Sequence, residues 1–326
     1  MTTRTFDVHG VTVKVTSDIE HHLRRLDCDF GTFAVDAIED PQLRYEVVHA
    51  PISEDDRHAA LTEGPLGDVV SRRPDRALRI SGPRVDEPTA YVQEVRSYFA
   101  ASVFSALVSG RRAQQIHASA VEGTQGGVAF VGAKKAGKSS TALLSLTAGA
   151  DFVSNDITFL DATTSEVRIL GIPQAVTLGP GASRWFSANA PEVGVPAPES
   201  RGEASAEAEY NTEGPAKYEV SVATVRTFTG VRREGVRLDH LVFPEPGMWL
   251  SAPRAVEIRP GEAMVRLLMS CEAMFKWGWP PALVGEHYLE RLSDIVRCAT
   301  EQASCWLFQW CPDHHANRDL LRKIVL

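Results

Sequence analysis

Residues 126–147 read GGVAFVGAKKAGKSSTALLSLT, and they constrain the fold more than any other stretch of the chain. An apolar run at 127–131 enters a segment that fits G-x-x-x-x-G-K-[ST] at Gly132, Gly137, Lys138 and Ser139, and an apolar helical pattern leaves it at 138–147. Glycines let the backbone curl so that its N–H groups point inward around phosphate oxygens. A lysine at the end of such a loop reaches the β- and γ-phosphates, and the following hydroxyl ligates the Mg²⁺ that accompanies them. The expectation is a strand–loop–helix unit holding a nucleoside triphosphate on Gly132, Ala133, Lys134, Lys135, Ala136, Gly137, Lys138, Ser139 and Ser140. A strand leading into a helix in this way requires an α/β fold.

The remaining composition fits that expectation. The chain has 326 residues, enough for about two domains. Hydrophobic residues make up 44% and charged residues 23%, as in ordinary globular proteins. A net charge of -8 argues against a nucleic-acid-binding surface. The five cysteines, Cys28, Cys271, Cys298, Cys305 and Cys311, are odd in number and not closely paired, which fits a reducing compartment. No apolar run reaches the length of a membrane span, and the first residues lack the apolar core of a signal peptide. The sequence-based expectation is a cytoplasmic protein with no membrane partner.

Pattern reading divides the chain into an α+β N-terminal region, residues 1–112, and a loop-bearing domain, residues 113–326. In the first, alternation predicts a hairpin over 5–15, a short helix over 19–26, strands over 31–35, 43–48 and 78–80, and a polar loop over 53–75. Val92, Val95, Phe99, Val103 and Leu107 recur at helical spacing and predict a packing helix over 86–110. In the second, strands are expected at 115–122, 127–131, 151–159, 167–172, 175–178, 218–225, 238–243 and 304–310. Helices are expected at 138–147, 261–270, 287–303 and 316–325. Between 179 and 216 the composition shifts to Gly, Pro, Ala, Ser and Glu, which predicts a long mobile loop over about 180–216.

Three residues near the loop carry the expected chemistry. Asp156, seventeen residues beyond Ser139, follows the apolar pair Phe152-Val153 and is expected to organise Mg²⁺, against the reading of a solvated aspartate at a strand end. His117 lies on the strand preceding the loop strand, where it is either structural or close to the phosphates. Lys217, Arg226, Arg184 and Trp185 border the expected mobile loop and are candidates for phosphate or acceptor contacts, against the ordinary reading of solvated surface groups. Cys305, Cys311, His314 and His315 are close in sequence, but their spacing fits no zinc pattern and reads as core thiols beside a surface histidine pair. Trp277, Trp279, Pro280 and Pro281 read as an aromatic packing turn.

On residues 117–156 a resemblance appears. HASAVEG at 117–123, GAKKAGKSSTALLSL at 132–146 and FVSND at 152–156 resemble the catalytic core of HPr kinase/phosphorylase and its relatives. EVRILGI at 166–172 is similar to a later signature of that family, and makes Glu166 a candidate carboxylate or a polar hairpin residue. The resemblance implies a P-loop kinase core of the HPr kinase and phosphoenolpyruvate carboxykinase type, ATP and Mg²⁺ as cofactors, and catalytic roles for Lys138, Asp156 and His117. The family's first aspartate of a pair is Asn155 here, the residue after the loop serine is Ser140 instead of glutamate, and Lys134-Lys135 replace Ser-Gly. The likeness is therefore to the broader HPr-kinase-related group, some of which phosphorylate a serine in a precursor peptide. The resemblance implies ATP-dependent phosphorylation of a hydroxyl, a serine of a peptide or protein. A small-molecule kinase and a nucleotide-binding regulator without catalysis stand as alternatives, the last because Asn155 cannot take a proton.

Overall fold

The computed structural model describes residues 1–63, 69–73, 77–87, 95–110, 112–195, 218–271 and 288–326. It is a mixed α/β chain that divides into two compact units, Met1–Leu107 and Val108–Leu326. No described helix is long and apolar enough to cross a membrane.

In the first unit, β1 (Thr2–Val8) and β2 (Val11–Ser17) form an antiparallel hairpin, and α1 (Glu20–Phe30) follows. The sheet continues through β3 (Leu43–Val48), then α2 (Glu54–His58), β4 (Ala60–Glu63), β5 (Val69–Arg72) and β6 (Leu78–Ser81) in the spatial order β1-β2-β3-β6-β5-β4. Strict alternation in β2 buries Val11, Val13 and Val15, and the covered face meets Phe30 of α1 and Phe99 of α3 (Arg96–Gly110). Fully burying one such side chain stabilises the fold by about 1.5–3 kcal/mol.

Several expectations change here. Residues 31–33 form a 3₁₀ turn, because Gly31 ends α1 and only Ala34 bridges back to Phe6. The polar stretch 53–75 holds α2, β4 and β5. Ser53 and Asp56 form a capping box, so polar residues start the helix instead of breaking it. The described part of the expected 86–110 helix begins at Arg96, residues 81–87 form a strand end and turns, and 88–94 lie outside the described residues.

The second unit is built on a nine-stranded mixed sheet. Its strands are β7 (Ala113–Ile116), β8 (Ala118–Gly123), β9 (Gly126–Val131), β10 (Asp151–Ser154), β11 (Thr158–Asp161), β12 (Arg168–Gly171), β15 (Val236–Pro246), β16 (Arg254–Glu257) and β17 (Ser304–Trp310). β9, β15 and β17 run parallel, and β8 is antiparallel to both β9 and β10. Val128 and Phe130 of β9, Val242 of β15 and Phe308 of β17 face one core with α4 (Lys138–Thr147), α5 (Pro180–Asn189) and α9 (His314–Val325). Phe243, on the alternate face of β15, lies beneath Arg266 of α7 (Pro260–Ser270), which packs on α8 (Tyr288–Gln302). A strand covered on both faces reads as a continuous apolar run, which is why β9 shows no alternation.

Two expected strands are each broken. The chain leaves the β7–β11 pairing and enters the β8–β10 pairing at His117, and makes the matching passage at residues 155–157. The two breaks lie side by side. The expected loop at 180–216 begins instead with α5, where Pro180 occupies the first helical turn and Phe186 is fully buried, and with a 3₁₀ turn at Pro191–Val193. Residues 196–216 of that loop, with Lys217, Trp277, Trp279, Pro280 and Pro281, lie outside the described residues. The expected strand 218–225 is β14 (Tyr218–Val220), paired with β13 (Val176–Leu178), followed by the short α6 (Val222–Val225). β16 was not expected from the sequence.

Candidate functional site

The loop between β9 and α4 takes the shape its glycines allow. Gly137 sits at φ 103°, and a Cβ there would lie 2.8 Å from Nε1 of Trp310. The indole N–H of Trp310 donates to the Ala136 carbonyl at 2.9 Å, fixing the loop's end. Lys135 also adopts a left-handed conformation, with φ 71°. Ala133, Lys134 and Lys135 are exposed, while Lys138 is only 5% exposed. Gly137 supplies no side-chain cap, so the first N–H groups of α4 have no capping partner from that side chain.

Lys138 Nζ donates to the carbonyls of Gly132 (2.9 Å) and Ala133 (3.0 Å). Burial pushes its pKa down to about 8, while the charge of Asp156 pulls it upward. Ser139 Oγ donates to Asn155 Oδ1 at 2.8 Å, and Ser119 Oγ of β8 donates to the same oxygen at 2.8 Å. Asn155 is 1% exposed, and its Nδ2 donates to the Ala175 carbonyl at 3.2 Å. Two hydroxyl donors on one side of the amide and a carbonyl on the other assign its orientation.

Asp156 follows at φ 63°, a left-handed conformation rare outside glycine and concentrated at functional sites. Its carboxylate lies 3.9 Å from His117 Nδ1, both side chains being partly exposed at 45% and 32%. The backbone N–H of His117 is held by the Ser270 carbonyl at 3.2 Å. Thr158 Oγ1 donates to the Ala118 carbonyl and accepts from Ser154 Oγ at 2.6 Å, tying the two breaks together.

The structure thus brings together Lys138, Ser139, Asn155, Asp156 and His117 from three separated segments. It does not bring Glu166 there: that residue is exposed in the turn joining Asp161 to Arg168, at the opposite end of the β11–β12 hairpin from Thr158. Arg226 is an exposed C-cap of α6, Arg184 is exposed on α5, and Trp185 packs its ring against His314 and His315. Cys305 and Cys311 are buried, and no group of three or more His, Cys, Asp or Glu among the described residues could hold a metal alone. Ser119, Thr158, Ala175 and Trp310 escaped sequence reasoning. Ser119, two residues from His117 on a strand, was the one with a periodic signal.

Donor chemistry at Ser139 and Asp156 suits Mg²⁺. The Ser139 proton is committed to Asn155, which leaves the oxygen lone pairs to a cation, and Asp156 adds a carboxylate. Hard oxygen donors in small number are what Mg²⁺ takes from a protein when phosphates and water complete its octahedron. A 650 Å³ cleft in the first unit, lined by Lys14, Arg44, Glu46 and Arg73 among others, has two of its cations engaged, Arg44 with Asp40 and Arg73 with Asp56. Compared with protein-family models and with curated proteins, the chain matches none.

Proposed function

We propose that this chain is an ATP-dependent kinase of the HPr-kinase-related kind, its second unit a P-loop kinase core of the HPr kinase and phosphoenolpyruvate carboxykinase type. It transfers the γ-phosphoryl group to a hydroxyl, a serine of a peptide or protein. The observation that carries the reading is the convergence of a phosphate-type loop with an aspartate and a histidine at two adjoining strand breaks.

In this reading the loop backbone and Lys138 hold the triphosphate. Ser139 and Asp156 would hold Mg²⁺, which would supply positive charge to neutralise the phosphates. Phosphoryl transfer asks mainly for positioning and electrostatics. The acceptor oxygen attacks the γ-phosphorus, the bond to the β–γ bridging oxygen breaks, and ADP leaves. The hydroxyl proton passes to Asp156, while His117 orients the acceptor beside it. A carboxylate near a metal is a weak base, and a loose transition state needs little base assistance. Asn155 takes no proton and serves by holding Ser139.

The test is transfer of labelled γ-phosphate from ATP to a panel of serine peptides and small hydroxyl metabolites, with Lys138→Ala and Asp156→Ala alongside. Labelling in the wild type that both variants lose supports the kinase, and the labelled acceptor defines its class. Binding of Mg·ATP without transfer to any acceptor moves the reading to a nucleotide-binding regulator, which Asn155 and Ser140 favour.

A further inference from the structure

We infer that the turn Met248-Trp249, between β15 and β16, is the platform on which the nucleobase of the bound triphosphate stacks. The inference rests on the phosphate-loop reading and extends it to the other end of the ligand.

Lys138 and Ser139 of such a loop engage the β- and γ-phosphates, so the terminal phosphate lies toward Asp156 and His117. His117 leads into β8 and Asp156 follows β10, and these two strands lie on the side of β9 away from β15. The nucleoside end then extends across β9 toward β15 and β17. Ligands of open α/β sheets lie at the carboxyl ends of parallel strands, and β9, β15 and β17 are the parallel set here.

At that edge the turn is tied directly to the loop. Pro246 pairs with Trp310 in register, and the Gly247 N–H donates to the Trp310 carbonyl at 2.7 Å. The indole N–H of the same Trp310 holds Ala136 of the loop. The Leu250 N–H closes the turn on the Gly247 carbonyl at 2.8 Å, so Met248 and Trp249 occupy its two central positions on a fixed backbone. Trp249 is 78% exposed and Met248 58%, in a chain whose other described tryptophans are all more covered. A large exposed aromatic loses water-ordering surface when a flat ring stacks on it, and base–aromatic stacking is tolerant of base identity. Trp185, the other aromatic candidate, already has its ring against Phe186, His314 and His315.

The donor is therefore a nucleotide and not an inorganic polyphosphate. Calorimetric titration of the full chain with Mg·ATP and with Mg·tripolyphosphate separates the two ends of the ligand. Trp249→Ala is expected to weaken Mg·ATP on the order of 10-fold or more and to leave Mg·tripolyphosphate unchanged. Trp249→Phe, which keeps a ring, is expected to retain most of the ATP affinity, and unchanged melting temperatures show that both variants fold. Unchanged ATP affinity in Trp249→Ala, or an equal loss for both ligands, overturns the inference and leaves the phosphate loop standing. Failure of the wild type to bind either ligand overturns both.

Discussion

Replacing Asn155 by aspartate makes residues 155–156 a pair of aspartates, and the geometry predicts that the change is harmful. Oδ1 still accepts from Ser119 and Ser139, but Nδ2, which donates to the Ala175 carbonyl, becomes an oxygen about as close to that carbonyl as the 3.2 Å of the present bond. The site is 1% exposed, so water does not replace the lost donor. A lost hydrogen bond costs about 1 kcal/mol, and leaving a buried carbonyl unsatisfied costs about 1–3 kcal/mol. The two serine hydroxyls offset part of this by donating to a charged acceptor. The net expectation is a loss of roughly 2 kcal/mol, or about 4–8 °C in melting temperature for a unit of this size. Asn155→Ala, which strands both hydroxyls and the carbonyl and leaves a cavity, should cost roughly 3 kcal/mol. The assay is thermal unfolding of the metal-free protein at pH 7. Acid should narrow the Asn155→Asp deficit, because a protonated carboxyl can again donate to Ala175. An Asn155→Asp protein as stable as the wild type refutes the claim that the amide N–H is what this position requires.

Three further predictions concern other residues. Lys138 has its folded pKa lowered to about 8, so the unfolded chain binds the extra proton between that value and 10.5. The free protein should therefore gain up to about 3 kcal/mol relative to Lys138→Met as pH rises across that window, while triphosphate affinity falls above pH 8 because the loop then lacks its cation. His22 is fully buried and its pKa is lowered to about 4, first by burial and then by His21. The first unit should lose stability, on the order of 3 kcal/mol, as pH falls from about 6.5 to 4, and His22→Phe should move its acid-unfolding midpoint to lower pH. Gly137→Ala places a methyl against Trp310 at a positive φ and should abolish triphosphate binding while lowering the melting temperature, by about 1–3 kcal/mol in stability.

What the sequence made legible was local. The turn glycines, lysine and serine of the loop lie within eight residues, so the strand, loop and helix could be read from a single segment. Long amphipathic or apolar patterns placed β9, α4, α8 and β17 correctly. The breaks at His117 and at residues 155–157 were invisible because no glycine or proline marks them: one or a few polar residues between apolar neighbours also fit a continuous strand, and only the identity of the pairing strand changes. α5 hid in a stretch rich in glycine, alanine and serine, although Pro180 at the first turn and buried Ser183 and Phe186 three residues apart were the signal of a helix. The role of Asn155 depends on Ser119 and Ala175, twenty or more residues away in either direction, and no pattern within one segment announces it.

The proposed activity requires the loop of residues 132–140 to be a phosphate site that works with Asp156 and a divalent cation. Calorimetric titration of ATP at pH 7, with and without Mg²⁺, tests this in the wild type, Lys138→Ala and Asp156→Ala. Saturable, Mg²⁺-dependent binding in the wild type, loss of binding in Lys138→Ala, and loss of the Mg²⁺ dependence in Asp156→Ala are expected. No binding by the wild type, or the same affinity and Mg²⁺ dependence in all three proteins, would contradict the proposal.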